Sequence, residues 1–298
     1  MPITEEGTVT LEAGDASAVI AMRGAEPRSW RIAGRELLWH GDPSHWERSA
    51  PILFPVVGAS AGGMIRVDGK PYPMPQHGFA RDSLFEVVER RPEAVRLRLT
   101  DSTRTRAHFP FAFALHVTVV VEAASLSLAF EVHNPGWEPL LYALGFHPAF
   151  PRPFDAQTRD GHVVVFATPE RPEVPLLTAE GLLQRRTRRI DLHGRCLTLT
   201  PDLFAQGALV FLDAASAAVE FVAPSGARIA LAAEAFPHLA LWTKPTAPFL
   251  SMEAWTGHAD WQDGGGELAD RASMRCLPPG SGAQHLARMT YSPGPSGR

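Results

Sequence analysis

The chain of 298 residues carries 28 Lys+Arg against 32 Asp+Glu, a formal net charge of −4, and 45% of it is hydrophobic. That length supports a sizeable core in one large β domain or two ordinary ones, and the scattered charge offers no basic stripe for nucleic acid. No uninterrupted apolar stretch of about 18 residues occurs and Met1 to Gly7 is acidic, so a soluble, unexported, cytoplasmic protein without membrane contact is expected.

Period-2 alternation dominates the first ninety residues. Thr8 to Leu11 and Ala18 to Met22 read as opening strands, and Trp30 to Trp39 as a hairpin turning at Ala33-Gly34. Residues 40–63 are loop-like, with Trp46 preceding the apolar run Pro51 to Gly58, whose two prolines exclude a helix interior and a central strand. Such a run suits a pocket floor as well as simple packing. Met64 to Tyr72 carries an Asp68-Gly69 turn signal and delivers the chain to Gln76-His77-Gly78-Phe79-Ala80-Arg81-Asp82. Leu84 to Glu89, Val95 to Thr100 and the long pair Leu115 to Val121 and Leu126 to Val132 then alternate cleanly.

An apolar strand ending in Gly145-Phe146-His147-Pro148-Ala149-Phe150 follows, then a region from 151 to 206 rich in Pro, Arg and polar residues, with a strand expected at His162 to Phe166. No structure is assigned to Pro169 to Leu192, and the basic run Arg185 to Arg189 is expected to be a solvated loop. Alternation resumes at Ala208 to Leu212, Ala218 to Val222 and Arg228 to Ala232, with a turn at Pro224-Ser225-Gly226. Glu253 ends an apolar strand and shares a pleat side with Trp255. Cys196 and Cys276 lie in no Cys-x-x-Cys motif and read as buried, reduced thiols. No linker or composition break divides the chain, so residues 1–291 are read as a single all-β domain, a large antiparallel sandwich, with 292–298 as a disordered tail.

Three polar stations stand out: His77 with Arg81, His147, and Glu253. His77 and Arg81 crowd hydrogen-bonding groups around Gly78, an arrangement suited to an oxygen-rich ligand, though Arg81 pairing with Asp82 beside a satisfied histidine also fits. His147 among Phe146, Phe150 and Leu144 is expected to be pushed toward its neutral form unless a carboxylate lies near. Glu253 with Trp255 is a common way to hold a sugar, whose C–H face stacks on the indole while its hydroxyls seek charged acceptors. Two positioned proton donors or acceptors in a sugar-sized cleft fit general acid/base work. His, His and Glu also make a conceivable metal set, but no His-x-His or His-Glu-x-x-His spacing supports it.

In that order Trp46 with Pro51 to Gly58, Gln76 to Asp82, Gly145 to Phe150 and Met252-Glu253-Ala254-Trp255-Thr256-Gly257 resemble the aldose 1-epimerase (galactose mutarotase) family, LacX-like branch. The resemblance runs from about Gly14 to Tyr291 and implies a β-supersandwich fold, galactose mutarotase-like, and cofactor-free, metal-free interconversion of α and β anomers of a free hexose. Carried onto this chain, it makes His147 the general acid and Glu253 the general base, with His77 and Arg81 holding the sugar. The chain departs from the family pattern at Ala59 and at Gly207, where polar residues are usual, leaving Gln206 as the nearest polar candidate for sugar binding, and at Ala254, where proline is usual. The expected partner is a small aldose, the expected assembly a monomer or homodimer. A noncatalytic carbohydrate-binding or sensing protein, and a hexose-phosphate mutarotase using Arg81 and Arg66, are the alternatives.

Overall fold

Strands whose side chains alternate between oil and water settle into antiparallel sheets because that pleat buries every second residue. In a computed structural model, which describes residues 7–155 and 158–295, the longest such pair is Ala114–Glu122 with Ser125–His133, matched residue for residue from Ala114↔His133 to Glu122↔Ser125. Leu115, Val117, Val119 and Val121 face inward with Leu126, Leu128, Phe130 and Val132, all at most 1% exposed. This hairpin sits inside a ten-stranded antiparallel sheet, flanked by Ala94–Thr100 on one side and Gly282–Ser292 on the other.

A second, six-stranded sheet carries the features that matter for function. Its path runs Leu209–Phe211, His238–Trp242, Phe249–Trp255, Gly145–Phe146 and Ile52–Leu53, with Ala149–Pro151 also paired to Phe249–Trp255. A four-stranded meander, Thr8–Ala13, Ala16–Ala21, Glu26–Ile32 and Arg35–Glu36, turns at Ala33-Gly34 as expected. Side chains from all three sheets, among them Leu11, Trp30, Val117, Leu128, Phe146, Leu250 and Met252, join in one core cluster. Every residue of Phe249–Trp255 is buried. Leu250, Met252 and Ala254 enter the main core, so period 2 sends Ser251, Glu253 and Trp255 to the opposite face.

Several expectations are corrected. The stretch Pro169 to Leu192, left without structure, contains a hairpin of Glu173–Leu177 with Leu183–Arg189, so the basic run is a strand rather than a loop. The second strand is hidden because, beyond buried Leu183, it is polar and largely exposed, with no apolar alternation to betray a period. Glu253 lies inside its strand, which continues to Trp255. Cys196 is half-buried and Cys276 exposed, since Leu197 and Leu277 take the inward positions beside them; both thiols are free. The last strand reaches Ser292, which pairs with Arg228, so it runs one residue into the expected tail, of which 296–298 lie outside the described residues. Among the described residues no helix is long and apolar enough to cross a membrane.

The turn at His77-Gly78 is fixed by contact with the six-stranded sheet. Gly78 has φ of 73° and forms a bridge with Phe54, and a Cβ built on it would meet the Phe54 carbonyl oxygen at 2.1 Å. Gly34 has a similar φ of 78° but nothing within 4 Å of a built Cβ. Gly34→Ala should therefore lose about 1–2 kcal/mol, the left-handed penalty alone. Gly78→Ala should lose about 3 kcal/mol or more, because backbone must also move. Urea denaturation of the two variants checks the difference; equal losses would mean the Phe54 contact is not tight.

Candidate active site

The register around Phe249–Trp255 builds the site. Phe146 pairs with Ala254 and Ala149 with Ser251, so the intervening His147 stands directly across from Glu253. Pro148 interrupts strand geometry there, and the His147 N–H is satisfied instead by the Pro51 carbonyl at 3.1 Å. Facing cross-strand residues bring their side chains together. His147 Nε2 and Glu253 Oε1 lie 3.1 Å apart, and the two residues are 6% and 1% exposed. On its other side Glu253 faces Ala240, whose small side chain leaves space above the carboxylate. Opposite Trp255 stands Gly145, where a Cβ would come within 3.0 Å of the indole.

Hydrogen bonds around the pair fix its protons. Ser251 Oγ donates to the Pro148 carbonyl at 2.8 Å, so its remaining bond with His147 Nδ1, at 2.9 Å, has the imidazole as donor. Nδ1 carries a hydrogen, and in the neutral ring Nε2 is a bare acceptor facing Glu253. Burial lowers the His147 pKa to about 3 and raises that of Glu253 well above its ordinary 4.5, opposed only in part by the Trp255 Nε1–H bond to Glu253 Oε2 at 3.0 Å. Burial thus favours the neutral imidazole and the protonated carboxyl, a pair that holds one proton.

Around this floor lies a cavity of about 760 Å3, within the roughly 300–1,000 Å3 usual for small-molecule sites. The aromatic faces of Trp46, Trp242 and Trp255 line it. Trp46 lies 4.9 Å from the His147 ring and Trp242 meets it edge-on at 5.7 Å. His77 approaches from the wall, its ring 5.8 Å from that of His147. Its backbone takes φ of 66°, and Nδ1 accepts the Gly58 N–H at 3.1 Å, which leaves Nε2–H as a donor in the neutral ring. Burial, then the neighbouring His147, Arg81 and Arg48, hold the His77 pKa well below 6.5. Arg81 is held by the Gln76 carbonyl at 2.8 Å, with Asp82 3.8 Å from its Nε. Gln206 lines the cavity from an exposed loop beside Gly207.

All five residues singled out in the sequence, His77, Arg81, His147, Gln206 and Glu253, therefore line one cavity. Arg66 does not; its guanidinium bonds the Gly69 carbonyl in an exposed turn. Ser251, Trp242 and Arg186 were missed. Ser251 was findable, since it precedes Glu253 by one strand period on the same face. Among the described residues no group of three or more His, Cys, Asp or Glu is placed to hold a metal ion.

Residues 7–264 match the family model described as aldose 1-epimerase. The chain belongs to the aldose 1-epimerase family. Its curated relatives include the chromosomal and plasmid LacX proteins of Lactococcus lactis subsp. lactis, each 28% identical over 252 residues, covering 81% of this chain and 84% of theirs. A galactose mutarotase-like protein from Lactobacillus casei superposes with a TM-score of 0.88 at 30% identity, over 96% of this chain and 100% of that one. A galactose mutarotase related enzyme from Lactobacillus acidophilus gives 0.87 at 28% identity, over 97% and 98%. The fold of this family member is thus the large antiparallel β-sandwich of galactose mutarotase-like proteins.

The single shared proton has a consequence for stability. Unfolded, His147 and Glu253 titrate near 6.5 and 4.5. Between about pH 3 and 4.5 the unfolded chain binds two protons at these groups and the folded pair one, so stability rises with pH there. Relative to His147→Gln/Glu253→Gln, the wild type should lose roughly 1 kcal/mol per pH unit as pH falls from 4.5 to 3, as measured by urea midpoints across that range.

Proposed function

We propose that the protein is a cofactor-free aldose 1-epimerase, an isomerase interconverting the α and β anomers of a hexose by general acid/base ring opening and reclosure. The observation that carries this reading is the 3.1 Å approach of His147 Nε2 to Glu253 Oε1 on the floor of a tryptophan-lined cavity. The two oxygens of a hemiacetal share one carbon, so groups this close can reach both, one as donor and one as acceptor.

The chemistry needs His147 protonated at Nε2 and Glu253 ionised, which is the same one-proton pair with its proton moved across. Sugar oxygens placed between the two groups favour that form, because a hydroxyl donates to the carboxylate while the ring oxygen accepts from the imidazolium. In the forward step Nε2–H protonates the ring oxygen, the C1–O5 bond breaks, Glu253 takes the proton of the anomeric hydroxyl, and C1=O1 forms. Rotation about C1–C2 turns the other carbonyl face to the C5 hydroxyl. Reclosure forms C1–O5, His147 recovers the proton from O5, and Glu253 returns its proton to O1. No net proton is gained or lost. His77 Nε2–H, Arg81 and Gln206 supply bonds to the remaining oxygens, and a tryptophan face takes the C–H side of the ring.

Ser251 holds the Nδ1–H tautomer, so Nε2 is the nitrogen that exchanges its proton. A sugar-binding protein without catalysis would have no use for that arrangement. Polarimetry of freshly dissolved α-D-glucose and α-D-galactose tests the reading: wild type should speed mutarotation, and Glu253→Gln and His147→Ala should each lose about 10²-fold or more. Sugar binding without acceleration by the wild type would instead establish the noncatalytic alternative.

A further inference from the structure

The basic run on the Leu183–Arg189 strand is not uniform. Arg185 stacks over Trp261 at 4.1 Å and bonds Asp263, Arg188 donates to the Leu203 carbonyl at 3.1 Å, and Arg189 pairs with Glu173 at 2.6 Å. Arg186 has no ion pair or hydrogen bond among the described residues, and it is the arginine of the run that lines the cavity.

A bulge puts it there. Between the pairs Pro175↔Thr187 and Leu177↔Leu183, Leu176 alone opposes Gln184, Arg185 and Arg186. Bulges break the alternation of a strand and re-aim side chains, often beside active sites. The hairpin is held in position by Leu183, whose N–H donates to the Asp260 carbonyl at 2.8 Å and whose carbonyl accepts from Gln262 at 2.7 Å. Asp260 is locked in turn by Arg271 at 2.7 Å.

Charge and space around Arg186 agree. Among the described lining residues Glu253 is the sole acid, and with His147 it forms a pair of zero net charge, so Arg186 and Arg81 leave the cavity net positive. Even at the ~30 Å3 per heavy atom of liquid water, the twelve heavy atoms of a hexose fill about 360 Å3, roughly half of the 760 Å3 available. His147 and Glu253 are buried on the floor, whereas Arg186 is exposed at the rim. A guanidinium in that position suits a planar or tetrahedral oxyanion.

We propose that Arg186 forms an anion subsite at the cavity rim, and that the substrate is an aldose carrying a phosphate or carboxylate at the end remote from C1. This rests on the epimerase reading for the orientation of the sugar. The experiment compares kcat/KM of wild type and Arg186→Gln on D-glucose, D-glucose 6-phosphate and D-glucuronate, beside calorimetric binding of the same sugars to Glu253→Gln and Glu253→Gln/Arg186→Gln. Wild type should prefer one of the two anionic sugars over glucose by about tenfold or more, and Arg186→Gln should shrink that ratio by about tenfold. The preference should also fall with added salt. The arm that responds, phosphate or carboxylate, identifies the anion. Turnover with no anionic preference, or a preference that survives Arg186→Gln, overturns the subsite and leaves the epimerase standing. Anionic sugar bound about tenfold more tightly when Arg186 is present, with no turnover of any aldose, upholds the subsite and overturns the epimerase reading.

Discussion

A carboxylate buried on a strand that is covered on both faces is the constraint on which the rest of this structure depends. Burial pushes Glu253 away from ionisation, and among the described residues an ionisable neighbour lies 3.1 Å from it. His147 is that neighbour because the register of two strands puts it directly opposite. Everything else about the floor follows from holding the pair: Ser251 beneath the imidazole, Trp255 bonded to the second carboxylate oxygen, and Ala240 and Gly145 small enough to leave room.

The same burial that makes the pair costly makes it responsive. Two groups displaced in opposite directions from their ordinary pKa values lie 3.1 Å apart, which is the basis of the proton exchange proposed for them. Rigid support matters here, since a shift of a fraction of an ångström would open the hydrogen bond. That support comes from hydrogen-bonded backbone: His147 N–H to Pro51, Met252 N–H to Pro148, and the buried carboxylate of Glu26 holding the Ser49 and Ala50 amides that lead into Pro51.

The walls are built on another principle. Floor residues sit on paired central strands, while His77, Arg81, Gln206 and Arg186 come from turns and a bulged hairpin. Loops and bulges tolerate change without loss of the core, so the rim is where members of one fold come to differ in what they accept. Gly207 offers no side chain, and Gln206, Gln184 and Arg186 supply polar groups to the lining.

The sequence by itself determined the strands with a repeating apolar side, such as Ala114–Glu122 and Ser125–His133, because alternation is a local property that burial on one face imposes. It also marked His147 and Glu253, polar groups that interrupt apolar runs, and His77 with Arg81, which crowd hydrogen-bonding groups around one glycine. Tertiary structure alone decided that His147 faces Glu253, because register between segments a hundred residues apart is set by packing of the whole sheet. It decided too that Ser251 points at the imidazole and that Arg186, hidden in a polar run without period, turns into the cavity. Those placements depend on pairing, bulges and contacts between distant segments, which no local pattern encodes.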